Sequence, residues 1–408
     1  MTSDQRIEII RILIDEFHLH IKPTLVSPED YKEKGERWLK EVKERYQDDK
    51  IDVQATKILL TTTTRAFMFS SNLILKEEMD ESNIWKALIM KGGGIKGIAY
   101  VGALSELSSF YAFNWYAGTS AGAIAATLLA VGYTNQELEE ILGNKNFNDF
   151  KDANFISKWW NLISKSGFYP ANEFTNWLDT LLASKLKKMT AVKFKDLPSR
   201  LSVYASRKGN EALVFDSLDP GRKEDRVAHA ARCSMSIPYI FTPERSQGLK
   251  VFDGGVQNNF PVKQLLKDNP NTDFIGLYLG AEVYEGEKRT SIFKNILSIW
   301  MESNDIEALE EYSESIVAID TRPISTLKFK LNKEEKNFLI EAGKLSALRF
   351  LDSKGKIDKS QFDYNERKVF LEETRLRLKK RYRKRKLVKR FSVIVLFSLI
   401  CVGYYYFF

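Results

Sequence analysis

The sequence predicts an α/β protein: a mostly parallel central sheet covered by helices, with a helical region before it and one apolar C-terminal helix after it. Three observations carry this reading. Residues 86–90 are a short apolar run ended by three glycines, and 98–107 resume at helical spacing, which is the order strand, tight turn, helix. The same order repeats at once, with 113–117 reading as strand, 118–122 glycine-bounded and 123–131 helical in spacing; strands recurring with helical connections point to a parallel sheet. Finally, residues 391–408 are eighteen positions without a charge, rich in Val, Ile, Leu and Phe.

Ahead of the first strand, Ile7, Ile10, Ile14, Phe17 and Ile21 step by three and four, an amphipathic helix that stops before Pro23. Ser27 with Pro28 reads as the start of a second helix carrying Trp38, Val42 and Tyr46 on one face. Asp4, Arg6, Glu8 and Arg11 interrupt any signal-peptide pattern, so export is not expected. Residues 1–84 therefore form an accessory helical region and 85–352 the main α/β domain. Further strands are expected at 201–206, 212–216, 251–252 and 274–279, and a closing helix at 332–352.

Residues 353–390 read as a polar connector and a basic helix leading to an anchor at 391–408. The net charge of +8 is concentrated there: eleven basic residues and no acid lie between Arg375 and Arg390, and without them the remainder stands at −3. Eighteen helical residues span ~27 Å, close to a ~30 Å hydrocarbon core, with the Tyr404–Tyr406 cluster and terminal Phe pair at the far interface. A single-pass membrane anchor is the expectation. The basic flank would then face anionic headgroups and keep the bulk of the chain cytoplasmic, so no nucleic-acid partner is expected for it. Cys233 and Cys401 are the only cysteines, and their spacing suggests neither a disulfide framework nor a metal site.

Three motifs carry the chemistry. Gly92-Gly93-Gly94-Ile95-Lys96-Gly97 offers backbone N–H groups for an oxyanion, and Gly118-Thr119-Ser120-Ala121-Gly122 presents a hydroxyl on a tight strand-to-helix turn. Asp253-Gly254-Gly255 supplies a carboxylate. The glycine motif also fits a dinucleotide fingerprint, but the position where an acid should hold the ribose delivers Ser120 instead. A P-loop fails for want of Gly-Lys followed by Ser or Thr. Histidine is scarce: only His18, His20 and His229 exist, and none follows Asp253, as the usual Ser, Asp, His order requires. His229 sits in a helical stretch and reads as structural. Asp253 is thus the better base for Ser120, provided a dry pocket raises its pKa.

In this order and context the trio resembles the patatin-like phospholipase family, over roughly residues 85–352. The stretch Ala230-Ala231-Arg232-Cys233-Ser234-Met235-Ser236-Ile237-Pro238 is similar to the family's segment ahead of its catalytic Asp, and Val256-Gln257-Asn258-Asn259-Phe260-Pro261-Val262 to the one after it. The resemblance implies a three-layer patatin-like fold and lipid acyl hydrolysis of phospholipase A or lysophospholipase type. Ser120 would be the nucleophile and Asp253 the group that takes its proton. Gly92, Gly93 and Gly94 would form the oxyanion hole, with Lys96, Gly97, Gly118, Gly122, Gly254 and Gly255 supporting the motifs. No cofactor or metal is implied, and the partner is a phospholipid or other acyl lipid. Lys91 departs from the family pattern, which often has a small or acidic residue there. The aromatics Phe155, Trp159, Trp160, Phe168, Tyr169 and Trp177 suit a lid or acyl groove as well as plain core. Transacylation at the same site, or a silent membrane scaffold, are the alternatives.

Overall fold

The computed structural model describes residues 37, 85–209, 212–280, 305–326 and 328–407. The helices expected around 7–21 and 28–46 lie outside the described residues, residue 37 apart. The chain divides into two compact units, Met1–Trp85 with Ser108–Ala112 and Lys86–Leu107 with Phe113–Phe408; the core and all three motifs belong to the second.

Strand β1 (Trp85–Met90) leads through a 3-10 turn (Gly94–Ile98) into α1 (Ala99–Leu107). Strand β2 (Ala112–Thr119) leads into α2 (Ala121–Ala130). Then follow α3 (Asn135–Asn144), α4 (Phe155–Lys165), β3 (Gly167–Tyr169) and α5 (Asn172–Lys185). Next come β4 (Arg200–Arg207), β5 (Leu213–Asp216), α6 (Val227–Ser234), β6 (Tyr239–Phe241), β7 (Glu244–Ser246) and β8 (Leu249–Asp253). The remainder is α7 (Val262–Asp268), β9 (Phe274–Leu279), α8 (Asp305–Glu311), β10 (Ile316–Ile319), α9 (Lys333–Ser353) and α10 (Tyr364–Phe407).

The main sheet runs β10-β9-β1-β2-β4-β8-β7, with β5 also paired to β4. It is mixed, and the expectation of a mostly parallel sheet is corrected. β1, β9 and β10 are parallel neighbours, as are β2 and β4, but β5, β8 and β7 pair antiparallel. The reason is connection length: β4 to β5 and β7 to β8 are joined by short loops with Gly209 and Gly248 at positive φ, and a hairpin can only return antiparallel.

Residues 87–90 of β1 are buried on both faces, which is why they read as an unbroken apolar run. Ala87 and Ile89 pack with Trp115 and Ala117 of β2 against Val262 and Leu265 of α7 and Ile316 and Ala318 of β10. α9 is capped by Asn332, whose side chain and that of Glu335 form a reciprocal cap, and α9 packs on α1 at very short range. A Cβ on Gly102 would lie 1.8 Å from the carbonyl oxygen of Ile340, and one on Gly343 2.0 Å from that of Ala99.

The first part of α10 is held to this body. Arg381 Nη2 meets Glu334 Oε2 at 2.6 Å, the Tyr382 hydroxyl donates to Glu335 Oε1 at 2.7 Å, and Arg375 pairs with Asp320. Part of the basic run therefore serves tertiary structure. Among the described residues no helix is long and apolar enough to cross a membrane. The side chains of 389–408, on which the anchor expectation rests, lie outside the described ones.

The α1–α9 crossing gives a stability prediction. Gly343→Ala should lower stability by about 2–3 kcal/mol through overpacking, although alanine favours helix. Thermal unfolding measures it, and an unchanged melting temperature would show that the helices separate freely.

Candidate active site

β4 is the ruler that brings the motifs together. Its Tyr204 is in register with Thr119 at the end of β2, and its Ala205 with Asp253 at the end of β8. Residues far apart in sequence are therefore delivered to adjacent positions across one strand.

At the end of β2 the chain turns abruptly into α2. Ser120 has φ 53° and ψ −118°, a region that costs a non-glycine residue about 1–3 kcal/mol. The turn is possible because α2 lies hard against the end of β1: a Cβ on Gly122 would sit 2.2 Å from the Met90 carbonyl oxygen, and one on Gly118 2.4 Å from the Gly122 carbonyl carbon. The Ser120 N–H donates to Ser234 Oγ at 2.8 Å, and that hydroxyl donates to the Tyr204 carbonyl at 2.5 Å. Thr119 Oγ1 donates to the Asn258 carbonyl at 3.0 Å.

Asp253 is 2 % exposed. Its Oδ1 accepts the Gly255 N–H at 2.7 Å, and its own N–H donates to the Ser236 carbonyl at 2.9 Å. Oδ2 is buried without a partner in good hydrogen-bond geometry among the described residues. Burial pushes the carboxyl up from an ordinary 3.8 to about 7, although the Ser120 hydroxyl and the Gly255 N–H each favour its ionised form. The physical cause is plain: the charge is desolvated, two neutral donors offset only part of that cost, and no cation contributes.

The Gly92–Gly94 loop is differentiated by its contacts. Gly92 N–H donates to the Asn259 carbonyl at 2.9 Å and is thereby spent on the loop itself, unlike the expectation that all three glycines donate to an oxyanion. Gly93 and Gly94 N–H have no acceptor among the described residues. Gly94 has φ +55°, and a Cβ there would be 2.3 Å from the Thr326 carbonyl oxygen, so glycine is required. Gly97 lines the cavity beside Ser120, and a Cβ there would lie 3.3 Å from that of Ala121, whereas Lys96 is not among the lining residues. Lys91, the departure from the family pattern, is buried with Asp305, Nζ to Oδ2 2.5 Å, and lies 3.9 Å from the centre of the Tyr278 ring. Burial opposes its charge, but Asp305 and Tyr278 hold its pKa above the ordinary lysine value. The pair fixes the root of the glycine loop.

Ser120 opens onto a cavity of about 70 Å³, lined by Ile95, Ile124, Leu142, Phe147, Phe150, Met235, Ile237, Phe241 and Phe329 among others. This wall is almost entirely apolar. Sequence reasoning missed it because its residues come from many separate segments. It also missed the Ala121 N–H, which as the first residue of α2 has no intrahelical acceptor and follows the serine where such turns supply an oxyanion donor. Also missed was the clamp behind the site. Buried Arg232 donates to Ser236 Oγ at 2.6 Å and to the carbonyls of Pro170 and Thr242 at 2.6 and 2.8 Å, while Ser234 and Ser236 hold the backbone of Ser120 and Asp253. His229 is elsewhere: its Nε2 lies 3.2 Å from the Arg245 carbonyl. Among the described residues no cluster of His, Cys, Asp or Glu is arranged to hold a metal.

The model of the patatin-like phospholipases matches residues 88–266, which span all three motifs. The Bacillus subtilis (strain 168) protein YqhO is 31% identical over 290 residues, covering 64% of this chain and 97% of that protein. The chain belongs to the patatin-like phospholipase family. A more distant relative, named probable lipid hydrolase 463L, from Invertebrate iridescent virus 6, is 24% identical over 196 residues, 45% of this chain and 64% of its own length. Among solved structures, VipD from Legionella pneumophila superposes with a TM-score of 0.44 at 16% identity, covering 66% of this chain and 67% of its own. The sheet, the serine turn and the carboxylate of this family member are the features on which its chemistry must be judged.

The raised Asp253 carboxyl has a consequence for stability. The unfolded carboxyl loses its proton near 3.8 and the folded one near 7, so between these values the native state binds more protons than the unfolded chain. Stability must then fall as pH rises through this window, by on the order of 4 kcal/mol from this group. Asp253→Asn removes the contribution. Calorimetric melting at several pH values should show a flatter profile for the variant, and parallel profiles would refute the assignment.

Proposed function

We propose that this family member is a lipid acyl hydrolase of phospholipase A or lysophospholipase type, working through Ser120 and Asp253. The observation that carries the reading is a serine on a strained turn that lines an apolar cavity and interacts with a buried carboxyl near pKa 7. A carboxyl at about 7 is matched to general-base work near neutral pH, and an apolar cavity suits an acyl chain better than a polar substrate. The name of the viral relative, a probable lipid hydrolase, points to the same substrate class.

The steps balance as ordinary acyl transfer. Ser120 Oγ attacks the ester carbonyl while Asp253 takes its proton; the oxyanion is received by the N–H groups of Gly93 and Gly94, assisted by Ala121. Collapse expels the alcohol part of the lipid, which takes the proton back. Water then attacks the acyl-enzyme, gives a proton to Asp253, and the fatty acid leaves as Ser120 is reprotonated. An acceptor alcohol in place of water gives transacylation by the same route. A silent scaffold has no use for a strained serine beside a raised carboxyl.

Release of fatty acid from mixed phospholipid vesicles tests this directly. Ser120→Ala should lose activity by on the order of a millionfold, by analogy with other serine hydrolases. Asp253→Asn should lose nearly as much, whereas His229→Ala should keep it. Wild-type kcat/KM should rise about tenfold per pH unit and level off above about 7, as the carboxylate forms. Full activity in Ser120→Ala would sink the proposal.

We further propose that residues 391–408 tether the enzyme to its substrate membrane with the catalytic part on the cytoplasmic side. The support is their uncharged sequence after the basic run, and the helical backbone that continues to Phe407. A chain ending at residue 390 should stay in the supernatant after centrifugation with membranes at high salt and still cleave a short-chain ester. If it pellets as the full chain does, the anchor lies elsewhere.

A further inference from the structure

Among the described side chains of helix α4 the buried one is polar, Asn161, 5 % exposed, with Nδ2 donating to the Phe168 carbonyl at 3.4 Å. Three of the helix's large apolar residues are exposed: Trp159 is 52 % exposed, Trp160 69 % and Ile163 81 %. Spaced one, three and four apart, the three side chains form a single patch on one helix face. Large apolar residues gathered on an exposed face mark a contact surface. The helix carries two charges within residues 155–165, Lys158 and Lys165, and no acid.

This patch is continuous with the acyl cavity. The Trp159 ring packs edge-on against Phe168 at 5.9 Å, Phe168 against Tyr169 at 6.4 Å, Tyr169 against Phe241 at 6.4 Å, and Phe241 against Phe329 at 6.1 Å. Phe241 and Phe329 are walls of the cavity that Ser120 opens onto. The backbone makes the same connection, because Tyr169 of β3 is paired with Phe241 of β6. Two lysines flank this aromatic path, one at its middle and one at its cavity end: Lys158 lies 5.1 Å from the Tyr169 ring centre and Lys151 3.7 Å from that of Phe329.

We propose that α4 is the element by which the enzyme seats on a lipid bilayer bearing anionic headgroups, with Trp159, Trp160 and Ile163 at the boundary between headgroups and acyl chains. Tryptophan favours that boundary, its ring in the apolar zone and its N–H toward water. The lysines and the lack of acid suit an anionic surface. A second copy of the chain fits the patch less well: three side chains bury far less than the ~800 Å² per partner that a stable interface needs. Seated this way, the aromatic path runs from the bilayer to the cavity, and an acyl chain leaves the membrane without crossing water. This inference rests on the lipid hydrolase reading, since it takes the cavity to receive an acyl chain.

The test separates seating from turnover. In the first arm, full-length Ser120→Ala protein is mixed with phosphatidylcholine and phosphatidylglycerol vesicles carrying brominated acyl chains, and tryptophan quenching is read. Quenching should fall by more than half when Trp159→Phe and Trp160→Phe are added, with vesicle binding retained because phenylalanine keeps the patch apolar. Equal quenching without those two indoles would overturn the proposal. In the second arm, Trp160→Ser with Ile163→Ser in the otherwise wild-type chain should lower vesicle phospholipid turnover roughly tenfold or more, with cleavage of a dissolved short-chain ester unchanged. Equal vesicle turnover at intact ester cleavage would overturn it, as would a dimer that these substitutions dissociate. If the wild type cleaves neither substrate, the hydrolase reading has failed, and the quenching arm still decides whether α4 enters the bilayer.

Discussion

The desolvation of one carboxyl governs this protein. Asp253 sits in the interior with no cation near enough to offset the loss of water, and its ordinary acidity is given up as a result. In water a carboxylate is far too weak a base to serve a serine hydroxyl. Here the same group is held where its proton is shared on near-equal terms at neutral pH. Stability is given up for this, since folding must bury a group that would rather ionise.

Such a carboxyl has value only if the hydroxyl opposite it is held just as firmly, and the fold supplies that through β4. Thr119 and Asp253 are in register with neighbouring residues of this strand, so sliding either β2 or β8 by one position would separate the pair and turn every side chain to the opposite face. Behind the sheet, α6 and the residues that follow it complete the hold. Ser234 takes the N–H of Ser120, the carbonyl of Ser236 takes that of Asp253, and Arg232 ties Ser236 to the Pro170 and Thr242 carbonyls. Since Pro170 follows β3 and Thr242 follows β6, the same guanidinium connects Ser120 and Asp253 to the strands that carry the aromatic path.

How much of this could be read beforehand depended on the length scale of the signal. β1 and β2 were legible because strands buried on both faces are mostly apolar, and the glycines after them mark turns that admit nothing larger. The closing helix was legible to within a residue at each end, from its spacing and from Asn332 at its start. β3, β6 and β7 span three residues each, too short for any period to appear, and β10 lies beyond the last strand the pattern suggested. The antiparallel half of the sheet escaped notice for a related reason. Strand direction is set by how the connections fold back, and the pairing that results is not written in either strand alone.

By itself the sequence determined the local form of the parts. A serine between glycines at a strand-to-helix turn, a glycine-rich loop one βα unit earlier, and an aspartate with no histidine after it are local facts, each enforced by sterics within a few residues. Tertiary structure alone decided what those parts mean to one another. It dried Asp253, spent the N–H of Gly92 on Asn259, set Lys91 against Asp305, and gathered Phe147, Phe150, Phe241 and Phe329 into one apolar wall. It also left Trp159 and Trp160 exposed, where their sequence suited a lid or acyl groove as well as plain core. Burial and desolvation are properties of the whole assembled surface, and no stretch of chain carries them by itself.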